Sequence, residues 1–186
     1  MAKTSTLAEL DARIREIETR LLPQVNPLGI YTDAEQDLIR AFVLLCHAEV
    51  ESFIEDWAKI LVDTLSLELM SKKAGSKFTR SYAVKLSLSL PNTISGNNGI
   101  KSSNLLKMFE PLGFAEEDFD AIDSKFLTQM NAFGRRRGES AHCTAIRAKQ
   151  QLSPIKEKKA VSEILVYLEK FEDVLIRTRI SGFLIA

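Results

Sequence analysis

Arg137 and His142, in the stretch Arg137-Gly-Glu-Ser-Ala-His142, are the residues whose types and spacing carry the clearest chemistry in a 186-residue chain that holds only two histidines. A guanidinium is always charged and can hold a phosphate, while an imidazole titrates near neutrality and can move a proton. Together they are the minimum equipment for breaking a phosphodiester. Arg135 and Arg136 stand directly before Arg137 and also fit a spacing of a few residues to the histidine, so spacing alone leaves the choice of arginine open. The plainer reading is a histidine at a helix start beside surface arginines. Glu139 is better read as a first-turn acid answering a helix dipole than as a catalyst.

Supporting candidates lie far upstream, where Arg40, His47, Glu51 and Glu55 recur at helical spacing and form one polar stripe. Either Glu51 or His47 faces a cleft, where it orients Arg137 or contacts a bound substrate, or they are solvated positions with a minor ion pair. The charge pattern adds to the picture. Lys plus Arg and Asp plus Glu number 25 each, so no global electrostatic argument for nucleic acid or membrane exists. Locally the signs separate: seven bases and no acid between Ser71 and Phe109, six acids and no base between Glu110 and Ser124, then eight bases against Glu139 and Glu157 from Asn131 to Ala160. Such blocks are usually solvated faces, yet Arg135, Arg136, Arg147 and Lys149 around the hexapeptide are what a phosphate-tracking surface needs.

The elements that must position these residues read as helices. Thr6-Leu-Ala-Glu9 has the form of a capping box, and Leu7, Leu10, Ile14, Ile17 and Leu21 follow as one apolar stripe ended by Pro23. Asn26-Pro-Leu-Gly29 reads as a turn, and Thr32-Asp-Ala-Glu35 as a second capping box that opens a helix running to about Met70. That helix is apolar on more than one face, from Leu38 to Leu61, which predicts a central position. A short helix is expected over Lys77 to Leu88, and Pro91 to Gly99 reads as an inserted, mobile loop. Another short helix ends at Pro111. Phe119, Ile122, Phe126, Met130 and Phe133 mark the next one, closing around Gly134. Ser153-Pro154 opens the last, with a seam of Val161, Ile164, Leu168, Phe171 and Leu175. Trp57 and the phenylalanines keep helical period and read as core. The expectation is one all-α domain over 1–186, an up-and-down helical bundle with a long central helix and an inserted loop region.

Cys46 and Cys143 offer neither metal spacing nor a disulfide framework, and Cys46 reads as a small buried hydrophobe. No metal or cofactor is expected. No stretch approaches the roughly 20 apolar residues of a membrane span and the N-terminus has no apolar core of signal type, so a soluble cytoplasmic protein is expected.

The long-helix string Asp37-Leu-Ile-Arg-Ala-Phe-Val-Leu-Leu-Cys-His-Ala-Glu-Val-Glu-Ser-Phe-Ile-Glu55, followed by Asn131-Ala-Phe-Gly-Arg-Arg-Arg-Gly-Glu-Ser-Ala-His142, resembles the HEPN superfamily, most closely its prokaryotic ribonuclease-like (RiboL-PSP type) branch. The resemblance implies a compact helical domain whose catalytic members are metal-independent endoribonucleases acting as homodimers. It implies Arg137 and His142 as the catalytic pair, and a toxin or phage-defence role with an antitoxin or regulatory protein as partner; the sequence itself shows no such partner. His142 would take the proton from a 2′-hydroxyl while an arginine stabilises the phosphorane, leaving a 2′,3′-cyclic phosphate and a 5′-hydroxyl. Base and acid are both wanted, and two chains about a two-fold axis would supply two imidazoles in one cleft. Neighbouring guanidiniums should hold the His142 pKa down. One departure bears on activity: many active relatives carry Asn, Asp or His after the arginine, whereas Gly138 supplies no side chain. The alternative function is a non-catalytic module that binds RNA, nucleotide or a protein partner in the same basic cleft.

Overall fold

The computed structural model describes residues 4–71, 77–141 and 151–180, and among these it contains seven α-helices, one 3-10 turn and no strand. In chain order they are α1 (Ser5–Leu21), α2 (Asp33–Ser71), α3 (Lys77–Ser95), α4 (Ser102–Phe109), the 3-10 turn Glu110–Leu112, α5 (Glu116–Ile122), α6 (Phe126–Ala141) and α7 (Pro154–Ile180). The protein is an all-α bundle. At 39 residues, α2 is about 58 Å long and forms the axis on which α1, α3, α6 and α7 pack.

The breadth of its apolar surface explains that position. Ile39, Phe42, Val43, Cys46, Val50, Phe53, Ile54, Trp57, Ala58 and Leu61 are all buried, a set too wide for one interface. Burial pushes the Cys46 thiol up to about 12, so it packs as a hydrophobe and offers no nucleophile. Within the same core, a group of aromatic rings joins α4, α5 and α6 to α7. Phe109, Phe119 and Phe126 gather around Phe171, with centroids 5.4 Å from Phe171 to both Phe109 and Phe126.

Helix ends follow local chemistry, with one departure from expectation. The box at Thr32 forms as read: Thr32 N donates to Glu35 Oε2 at 2.8 Å and Glu35 N to Thr32 Oγ1 at 3.3 Å. At the first helix the cap is Thr4, whose Oγ1 accepts from Leu7 N at 3.2 Å, and Thr6 lies inside the helix. Thr4 is preferred because its hydroxyl also donates to the buried Glu172 of α7 at 2.7 Å, a long-range bond that local sequence does not display. The turn at Asn26 closes through Gly29 N to Asn26 O at 2.9 Å, with Gly29 at φ 68°, where glycine is favoured.

Two expected boundaries are corrected. Residues 91–95 are not loop but the last turn of α3, with the exposed Pro91 inside the helix, because Leu86, Leu90 and Ile94 recur every four residues and bury one stripe. The loop that remains, 96–101, is tied down by side-chain bonds from Asn97 and Asn104 and by the bond that Asn98 O accepts from Arg137, and it buries Gly99 and Ile100, so the mobile insertion is replaced by a tethered connection. The helix expected to close around Gly134 is two helices, α5 and α6, and α6 continues through Gly134 and the arginine run to Ala141.

Candidate functional site

Three elements meet at one cavity of about 450 Å³: the middle of α2, the connection from α3 into α4, and the C-terminal half of α6. On α2 the helical spacing puts His47, Glu51 and Glu55 on one face. Glu51 is half-buried, and burial raises its pKa, with Arg137 pulling it back down and Glu55 adding to the rise. The repulsion between the two carboxylates is offset by Asn97, whose Nδ2 donates to Glu51 Oε1 at 3.2 Å and to Glu55 Oε1 at 2.9 Å.

His47 is 1% exposed and its ring stacks on Phe133 of α6, centroids 5.6 Å apart at 17°. Burial, and secondarily the Arg137 charge, push its pKa down to about 4, so the imidazole is neutral at physiological pH. Its Nδ1 lies 3.6 Å from Glu51 Oε2, too far for a hydrogen bond, and neither ring nitrogen has a hydrogen-bond partner among the described residues.

From α6, Gly134, Arg137, Gly138 and Ala141 share the face that lines the cavity. Arg137 Nη1 donates to the Asn98 carbonyl at 2.6 Å and stands 3.9 Å from Glu51 Oε2, with 38% of the side chain exposed. A Cβ on Gly134 would come within 2.9 Å of Lys101 Cγ, so the glycine lets the Lys101 stem lie against α6, whereas a Cβ on Gly138 would meet nothing within 4 Å. The Asn104 side chain donates to Gly99 O at 3.0 Å and holds the connection that brings Lys101 to the cavity.

The three consecutive arginines have three different surroundings. Arg135 is exposed, Arg136 is paired with the buried Glu157 of α7 at 2.9 Å, and Arg137 faces the cavity. Arg136 therefore has a structural partner in Glu157, which neither a plain surface charge nor a phosphate-tracking role foresees. His142, Cys143, Arg147 and Lys149 lie outside the described residues, and His142 is bonded directly to Ala141. The α2 stripe is not solvated. Arg40 and His47 are buried, and Arg40 Nη1 donates to Gln36 O at 3.1 Å of its own helix, away from the cavity.

Sequence reasoning missed Asn97, Asn98, Lys101, Asn104 and Gly134. An Asn-rich run beside glycines reads as turn composition, and the carboxylates it clamps are more than forty positions away. Among the described residues no group of three or more His, Cys, Asp and Glu side chains is placed to hold a metal ion, and no helix is long and apolar enough to cross a membrane.

Comparison with known proteins gives one family: residues 8–177 match the family described as RiboL-PSP-HEPN, nearly the whole chain. No curated protein and no solved structure matches.

Proposed function

We propose, from the premise that this chain belongs to the RiboL-PSP-HEPN family, that it is an endoribonuclease using Arg137 and His142 to cleave RNA through the strand's own 2′-hydroxyl. The observation that carries the proposal is the placement of Arg137. Its guanidinium faces a cavity large enough for a small ligand, and on the same helix face stands Ala141, the residue bonded to His142.

In the proposed reaction the 2′-hydroxyl gives its proton to a neutral imidazole and its oxygen bonds to the adjacent phosphorus. The bond from phosphorus to the 5′-oxygen breaks, and that oxygen takes a proton from an imidazolium. Arg137 stabilises the charge that grows on the non-bridging oxygens. His47, buried and held neutral, is a poor source of that second proton, which supports a composite site in which a second copy of the chain contributes its own His142. Glu51 positions Arg137, and Arg135, Arg147 and Lys149 track the backbone of the RNA. A toxin or defence effector restrained by a protein partner, working in the cytoplasm, is the biological setting consistent with this reading.

Gly138 favours a second reading, a module that binds RNA or nucleotide without cutting it, because the position after Arg137 contributes no side chain to the cavity. Incubating the purified protein with RNA in EDTA, beside His142→Ala, separates the two. Cleavage to cyclic phosphate ends by the wild type alone supports the nuclease; RNA binding with no cleavage by either protein supports the module.

A further inference from the structure

The cavity carries a second cation that the cleavage step does not use. No carboxylate stands among the described residues that line it, so Arg137 and Lys101 leave its rim positive; Glu51, 3.9 Å from Arg137, offsets only one of the two charges. Other cations of the bundle are paired with acids, Arg136 with Glu157, Lys158 with Glu18 and Lys170 with Asp123. Lys101 is exposed, and among the described residues no acid pairs with it.

Its root is nevertheless fixed. A Cβ on Gly134 would stand 2.9 Å from Lys101 Cγ and 3.7 Å from Cε, so α6 forgoes a side chain, at a loss of helix propensity, where an unpaired lysine lies along it. The backbone on either side is tied as well: Ser102 N donates to Asn131 Oδ1 of α6 at 3.0 Å, and Asn97 Nδ2 donates to Glu55 Oε1 of α2 at 2.9 Å. A long side chain held at its stem has less freedom to lose when its head binds. Gly134 and Arg137 are three residues apart on one helix, about 4.5 Å along its axis, so the two cations meet the cavity nearly one turn apart. That offset presents them to two groups along a strand and not to one. We propose that Lys101 binds the phosphate next to the scissile one, so that the cavity grips two successive phosphates of an RNA strand, the scissile phosphate on Arg137 and its neighbour on Lys101. The inference rests on the reading of Arg137 as the ligand of the scissile phosphate, and names the second anchor of the same substrate.

Ligands that lack the attacking hydroxyl separate binding from cleavage. A 2′-deoxy dinucleotide with one internal phosphate, and the same dinucleotide with a further phosphate on its 5′ end or on its 3′ end, are titrated into the protein at low salt by calorimetry. The further phosphate, on one of the two ends, should tighten binding about tenfold, the scale of one charge-assisted contact. Lys101→Met, which keeps the stem along Gly134, should cut that gain to less than about twofold and leave the affinity for the one-phosphate ligand within about twofold of wild type. Lys101→Arg should restore the gain, and Lys107→Met, which removes an exposed lysine of the same helix, should keep it. The proposal is overturned if neither end gives a gain, if the gain survives Lys101→Met, if Lys107→Met abolishes it, or if Lys101→Met weakens the one-phosphate ligand as much as the two-phosphate one. Should Lys101→Met fail to fold, Lys101→Gln gives the same reading. The outcomes separate from those of the nuclease assay: a protein that cuts no RNA yet shows the Lys101-dependent gain keeps this inference and loses the nuclease, and a nuclease whose gain survives Lys101→Met does the reverse.

Discussion

Arg137 Nη1 stands 3.9 Å from Glu51 Oε2, close enough for attraction and too far for a hydrogen bond, while the same nitrogen donates to the Asn98 carbonyl at 2.6 Å. The guanidinium is therefore aimed by a neutral carbonyl and steadied by a carboxylate that does not fully neutralise it. Glu51 in turn is held by Asn97 through its other oxygen. Orientation without tight ion pairing is what a group needs if it is to take up the charge of a phosphate.

This arrangement ranks two substitutions. Arg137→Ala removes the cation and should lower the rate of RNA cleavage by roughly 100-fold or more. Glu51→Gln keeps an oxygen for Asn97 but loses the charge, and should lower the rate by about tenfold, the scale of one lost charge-assisted contact of 1.4 kcal/mol. Single-turnover cleavage in EDTA measures both; equal effects would show that Glu51 does more than steady the arginine.

His47 makes stability depend on pH. Its folded pKa is depressed, from an ordinary value near 6.5 to about 4, so its contribution is fully present above 6.5 and is lost as pH falls toward 4. Between pH 7 and pH 5 that loss should be roughly 2 kcal/mol. Glu51 and Glu172 act in the opposite sense, since burial raises their folded pKa values and their contribution is lost as pH rises above the ordinary carboxylate range. Urea unfolding of wild type and His47→Phe at both pH values isolates the histidine, and the variant should lose about 2 kcal/mol less than wild type over the interval.

The two glycines of α6 should respond differently to alanine. Gly138 has open space where a Cβ would go, and Gly138→Ala should stabilise by roughly 0.5–1 kcal/mol through helix propensity, raising Tm by about 2–4 °C. Gly134→Ala brings a Cβ to 2.9 Å from Lys101 Cγ and must move that stem, so its Tm should fall below that of Gly138→Ala and RNA binding should weaken as Lys101 is displaced. Thermal melts and a salt-matched binding assay read both effects.

Arg135 and Arg136, adjacent in sequence, should separate on mutation. Arg136→Ala leaves the buried Glu157 without its 2.9 Å partner and should cost about 1 kcal/mol of stability, discounted because the arginine itself is partly exposed. Arg135→Ala, on an exposed side chain, should change stability by less than about 0.5 kcal/mol. Denaturant midpoints decide, and equal costs would place Arg135 in an unseen contact.

Much of this protein was legible in its sequence because the signal is local. Leu7, Leu10, Ile14 and Ile17 repeat with the helical period and are buried as that period requires; the Thr32 box closes as its residue types require; and Pro154 opens the last helix at its first position. The breadth of apolar residues on α2 was enough to foretell its central place. Tertiary structure alone decided what became of the polar residues. Periodicity put Arg40, His47, Glu51 and Glu55 on one stripe, but only packing buried the imidazole against Phe133 and brought Asn97 across to the two carboxylates. Three identical arginines in a row could not be told apart until α6 turned them, at 100° per residue, toward solvent, toward α7 and toward the cavity. Helix formation is settled by neighbours within four residues, whereas burial, pKa and partnership are settled by groups that share space without sharing sequence.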